Sequence, residues 1–125
     1  MIKGVVSIAP IRQAQVDVRV GRAGGAEITV AAVVDTGFTE FLTLPLATIQ
    51  SLALPATQAT RIRLADGSYT AVDEYEARVW WHDDWRPVQI QACEGDVLLG
   101  MAMLVGHLLS VEVVASGAVA IEALE

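Results

Sequence analysis

Cysteine is almost missing: the 125 residues hold one, Cys93. It can form neither an internal disulfide nor a cysteine-built metal cage, and such usage suggests a reducing, cytoplasmic compartment. Positive charge is also scarce. Eight Lys and Arg against fifteen Asp and Glu leave a net charge of −7, and the basic residues do not cluster. Nucleic acid and anionic membrane are therefore disfavoured as partners, because both demand a basic surface. No apolar run reaches membrane-spanning length, and the opening MIKGVVSIAP is too short for a signal peptide. Linker composition and low-complexity tracts are missing too. What remains is 54% apolar, too much for disorder and enough for one domain, residues 1–125, with its own core.

The dominant hydrophobic period is two. Ala14, Val16, Val18 and Val20 alternate with polar residues. GRAGGAE then supplies a turn, and Ile28, Val30, Ala32 and Val34 return as the second strand of a hairpin. FLTLP is a short apolar strand. Pro45 opens PLATIQSLAL, where Leu46, Ile49 and Leu52 or Ala53 fall at helical spacing. A second hairpin follows, with Ile62 and Leu64 on one side, Asp66-Gly67 as a two-residue turn, and Tyr75, Ala77, Val79 and Trp81 on the return. HDDW turns into a strand carrying Val88, Ile90 and Ala92. The segments GDVLLG and MAMLVGHL read as a short strand and one or two helical turns. Leu109, Val111 and Val113 turn at Ser116-Gly117 into Val119 and Ile121. Eight or nine short strands with one or two short helices predict an all-β domain, a closed barrel or sandwich. A strand, glycine and short helix recur around Gly37 and Gly100, as a duplicated half-fold would produce.

One feature of this pattern carries chemistry. The apolar run Val30–Val34 drives into Asp35-Thr36-Gly37. Such a tripeptide is either a strand-ending turn or a carboxylate placed at the floor of a groove. Thr36 has a hydroxyl that donates and accepts, and equally caps a turn. Gly37 allows a sharp turn and lets its amide approach the carboxylate.

VVDTGFTEFLTLP, the LADGS turn and DVLLGMAML, in this order and at these intervals, resemble a retropepsin-like aspartic protease of clan AA. More narrowly, they are similar to its small single-domain prokaryotic members. The resemblance spans about Val5 to Val113. It implies an aspartic endopeptidase, a hydrolase that needs no metal or organic cofactor. It also implies a homodimer acting on a peptide or protein substrate, since one Asp35 per chain cannot form the pair of carboxylates the reaction uses. By the same resemblance, Asp35, Thr36 and Gly37 are catalytic, with Thr36 bonding across the two-fold axis. Leu98, Leu99 and Gly100 support the catalytic loop from below. The hairpin tip Ala65, Asp66, Gly67, Ser68 and Tyr69 is a flap over substrate. The family's usual Ala or Ser after the tripeptide is here Phe38, which could line a specificity pocket or obstruct the groove. Obstruction would leave an inactive dimer of this fold serving as a peptide-binding or interaction module. The paired glycines of viral flaps are missing, and the apolar tail beyond Gly106 is longer.

Other residues read more plainly. His82-Asp83-Asp84 is expected as a solvated turn rather than a metal site with His107, because two histidines have no ligand spacing. Trp80, Trp81 and Trp85 are expected as strand packing rather than a binding platform. Cys93 is expected as an inert core residue. Glu74, Glu76 and Arg78 are expected as a solvated strand face. The glycines of GRAGG lack the strand–helix context of a phosphate loop.

Overall fold

The computed structural model describes the backbone of residues 1–125 and every side chain but that of Thr60. The period-two pattern becomes ten strands: β1 (Ile2–Ser7), β2 (Gln13–Gly21), β3 (Glu27–Val34), β4 (Leu42–Leu44), β5 (Ala56–Arg63), β6 (Tyr69–Trp81), β7 (Asp84–Ala92), β8 (Val97–Leu99), β9 (His107–Val111) and β10 (Ala118–Ala123). Helix α1 (Leu46–Ser51) follows β4 and α2 (Met101–Leu104) follows β8. With 56% of the chain in strands and 8% in helix, the domain is all-β as expected.

The strands form one sheet in the order β5-β6-β7-β4-β8-β3-β2-β1-β10-β9. The expected barrel does not close, since β5 and β9 each have a neighbour on one side only. Beyond nearest neighbours the sheet folds back on itself through a β2–β6 ladder alone, Val20↔Val79 and Gly21↔Arg78. That ladder joins two residue pairs only, and β5, β1, β10 and β9 lie outside the run of strands it links.

The anticipated β2–β3 hairpin forms with Val16↔Ala32, Val18↔Val30 and Val20↔Ile28 in register. It sends Val16, Val18, Val20 and Ala32 into the core, where they join Leu42, Leu44, Val79, Val88, Ile90, Leu99 and Ile121. Full burial of each Val, Leu or Ile contributes about 1.5–3 kcal/mol, so these facing rows hold the sheet curved.

Strand β1 was not among the expected strands. It lacks clean alternation and fully buries only Val6. Its marker is Gly4, where a Cβ would lie 1.8 Å from the Gln15 carbonyl oxygen. Helix α1 starts one residue later than its proline suggests, with Pro45 as an extended N-cap. Glu94 accepts the Leu46 amide at 3.0 Å, from far along the chain. Ile49 and Leu52 of the helical pattern are buried, whereas Leu46 is exposed. The suspected duplication is incomplete: Gly100 leads straight into α2, but β4 separates Gly37 from α1.

Candidate active site around Asp35

Strand β8 lies between β3 and β4, which are consecutive in the chain. It runs parallel to β3 through Val33↔Leu98 and Val34↔Leu99, and meets β4 antiparallel at Leu42↔Leu99. The Asp35 amide donates to the Leu99 carbonyl at 2.9 Å, which extends the β3–β8 ladder by one residue. The chain then turns, with the Phe38 amide donating to the Asp35 carbonyl at 3.1 Å. On the other side, the Gly100 amide donates to Phe41 O at 3.0 Å and the Met101 amide to Phe38 O at 2.8 Å. The loop from Asp35 to Phe41 is thus tied at several points to the β8–α2 junction.

Gly100 makes this crossing possible. A Cβ there would stand 2.2 Å from Glu40 O, 2.5 Å from Phe38 Cδ2 and 2.6 Å from Phe38 O. Leu99 beside it is fully buried and Leu98 half-buried. The residues Asp35–Phe38 and Leu98–Gly100, some sixty positions apart in sequence, are therefore brought together.

Asp35 is half-buried, and Thr36 and Gly37 are exposed. The Gly37 amide donates to Asp35 Oδ1 at 2.9 Å, as its place in the tripeptide suggested. Among the described residues Oδ2 and the Thr36 hydroxyl make no hydrogen bond. The site therefore presents one carboxylate, held through Oδ1 by the Gly37 amide, with Oδ2 still available to a water, a substrate or a second carboxylate. Phe38 is 8% exposed and packs on Gly100, in the space that the glycine leaves.

No family model, curated protein or solved structure matches this chain. The reading of the site accordingly rests on its own geometry.

Two supporting residues were not anticipated. Thr43 is buried, and its Oγ1 accepts the Leu98 amide at 2.8 Å. This stands in for the backbone pair that β4 is too short to provide. Arg86 donates to Met103 O at 3.1 Å and Ala102 O at 3.4 Å and lies over the Phe41 ring. It braces α2 under the Asp35 loop, and burial lowers its pKa from the ordinary arginine value. Neither residue stands in a local motif. A threonine amid leucines in a three-residue strand is the only hint that sequence offers.

The β5–β6 hairpin holds the other predicted site residues. Its last ladder pair is Arg63↔Tyr69, so the turn spans Leu64–Ser68 rather than Asp66-Gly67 alone. Within it, the Leu64 amide donates to Ser68 O at 2.7 Å and the Gly67 amide to Leu64 O at 2.9 Å, with Gly67 at φ +88°. Asp66 Oδ1 accepts both the Ser68 hydroxyl (2.6 Å) and its amide (2.9 Å), which lower the Asp66 pKa from its ordinary value. Ala65, Asp66, Ser68 and Tyr69 are exposed, Gly67 is half-buried, and Arg61 lies over the Tyr69 ring. Among the described residues no hydrogen bond joins this tip to the Asp35 loop.

The His82-Asp83-Asp84 turn is exposed at Asp83 and Asp84 as expected, but His82 is half-buried. His82 and His107 stack with ring centroids 5.0 Å apart. Trp81 Nε1 donates to His107 Nε2 at 3.0 Å. An indole nitrogen can only donate, so His107 carries its proton on Nδ1, which donates to Val105 O at 2.9 Å. His82 Nε2 is buried without a partner. Among the described residues no group of three potential ligands forms around these rings.

Trp81 is core as expected, but Trp80 and Trp85 sit half-buried on the opposite face, edge to face, with Arg19 over both. Glu74 is a further correction: it is buried and accepts the Gln91 side-chain amide at 3.1 Å. The cross-strand register Glu74↔Gln91 puts it where β5, β6 and β7 all meet, whereas Glu76 remains exposed. Cys93 is half-buried just past the end of β7 rather than inside a strand.

Proposed function

We propose that this chain is one half of an aspartic endopeptidase, completed when two copies meet at a two-fold axis and each contributes Asp35. The observation that carries this reading is the Asp35 carboxylate itself. It stands at the end of β3, accepts the Gly37 amide through Oδ1 and keeps Oδ2 unengaged. In the dimer, one carboxylate takes a proton from a bound water, which attacks the scissile carbonyl carbon. The other gives its proton to the carbonyl oxygen. The first carboxylate then passes the proton it took to the leaving nitrogen, the C–N bond breaks, and the second regains its proton from the gem-diol hydroxyl as the acid forms. Two carboxylates this close cannot both ionise readily and share one proton, a property known of aspartic proteases as a class.

The neighbours support the same reading. Thr36 is exposed and uncommitted, so its hydroxyl is available to the partner subunit. Leu99 and Gly100 hold the loop from behind. The β5–β6 hairpin offers an exposed strand edge to an extended peptide, which binds by strand addition, and its tip acts as the flap. Such a mechanism needs no cofactor.

The test is to purify Asp35→Asn beside the parent, assay both on a mixed peptide library from acidic to neutral pH, and measure the solution mass of each. We expect a dimeric parent that cleaves and a dimeric variant that does not. Equal cleavage by both, or a parent that is monomeric while active, ends the proposal. Saturable peptide binding with no cleavage by the parent would leave instead a dimeric peptide-binding module.

A further inference from the structure

A hollow of about 290 Å³ opens between the β2–β3 turn and the root of the β5–β6 hairpin. Arg22, Arg78 and Glu76 supply its polar lining, and Ala23, Pro55 and Pro87 its apolar walls. The root is fixed, because the Glu76 amide donates to Pro55 O at 2.9 Å.

The arginines are unusual for so acidic a chain. Among the described residues neither makes a side-chain hydrogen bond or an ion pair; the ion pair that does form joins Arg19 to Glu27. Arg78 is half-buried, its Nε is shut away from solvent without an acceptor, and its guanidinium lies 5.1 Å from the Trp85 ring centroid. Stacking holds the plane of the fork and lowers the entropy lost when it binds. Glu76 shares the hollow but pairs with neither arginine. A buried Nε–H without an acceptor is costly, and an anion bound at the fork would relieve it.

We propose that this hollow binds an amphipathic monocarboxylate. The carboxylate engages Arg22 and Arg78, and one apolar group lies between Pro55 and Pro87. Glu76 selects against a second negative charge, and the small volume admits a single acyl or aromatic group. Such chemistry comes either from a free organic acid or from the C-terminal residue of a peptide. Asp35 is not among the residues that line this hollow.

Isothermal titration calorimetry on the full chain tests it, with five probes: hydrocinnamate, its neutral amide, inorganic phosphate, and a short peptide ending in phenylalanine in its free-acid and its amidated form. We expect saturable binding of hydrocinnamate or of the free-acid peptide, and none of either amide. Binding of both acids points to a general acid site; binding of the peptide alone identifies a chain terminus as the source. Arg22→Ala, in an exposed turn, and Arg78→Gln should each weaken binding by about tenfold or more. Arg78→Lys keeps the charge but loses the fork, and should fall between. Circular dichroism shows which variants are folded, and Arg22→Ala alone suffices if Arg78→Gln is not. The proposal is overturned by absence of saturable binding of both acids, by equal binding of the amides, by phosphate binding as tightly as hydrocinnamate, or by unchanged affinity in the folded variants.

Discussion

The Asp35 loop and the β5–β6 hairpin both carry residues of the proposed site, but they are built in opposite ways. The loop is gripped on every side by backbone. Leu99 O takes its first amide, Phe38 O and Phe41 O take amides from the β8–α2 junction, and Gly100 leaves no room for a side chain. The hairpin is held by its own ladder. Residues 69–73 of β6 pair with β5 alone, and the described side chains of β5 are exposed except that of Ile62, which is half-buried. The contrast teaches where precision is needed. In the proposed dimer a carboxylate that meets its twin would have to be held to a fraction of an ångström, which rigid elements do. An arm that admits and covers a peptide has to open, which weakly anchored segments do.

The strongest way to break this comparison is to make cuts of equal size in both regions. Leu99→Ala empties fully buried volume beneath the Asp35 loop and should cost about 2–5 kcal/mol in urea unfolding. Gly100→Ala adds a single methyl where three atoms already stand within 2.6 Å; we expect a loss of about 1–3 kcal/mol or more from overpacking. The same substitution in the hairpin, Gly67→Ala, meets nothing closer than the Arg63 guanidinium at 3.9 Å. There the cost is only the left-handed backbone, about 1–2 kcal/mol, and it should show as local hydrogen exchange in residues 64–69 more than as a shift of the global midpoint. If Gly67→Ala proves as damaging globally as Gly100→Ala, the hairpin is not the softer element. Thr43→Val sharpens the picture by leaving the Leu98 amide without an acceptor, at a cost of about 1–3 kcal/mol with little change in shape.

The smallest effect is expected from acid. Burial, with the nearby charge of His107 and of the N-terminus, holds the His82 imidazole below its ordinary value of 6.5, against the opposing pull of Asp83. As pH falls, the unfolded chain therefore takes the proton before the folded one does. The contribution of His82 is complete above about pH 6.5 and is lost as pH drops through the lower folded value. Urea midpoints measured from pH 8 to pH 5 should fall, and His82→Gln should flatten that slope. A slope unchanged by the substitution would remove His82 as its source.

Features that depend on near neighbours along the chain were legible in the residues. Period-two alternation made strands, the Asp66–Ser68 hydrogen bonds closed a turn that its residue types announce, and the Gly37 amide reached Asp35 from two residues away. That Leu98-Leu99-Gly100 would lie beneath the Asp35 tripeptide was implied by the family resemblance and by no local pattern. What only the tertiary structure decided depends on contacts between distant positions. The sheet folds back on itself because Val20 and Gly21 of β2 meet Val79 and Arg78 of β6. Glu74 is buried because Gln91 lies opposite it, Phe38 turns inward because Gly100 leaves space, and His82 leaves solvent because His107 arrives beside it. Each of these is set by a partner far along the chain, and no local pattern of residues records where that partner will be.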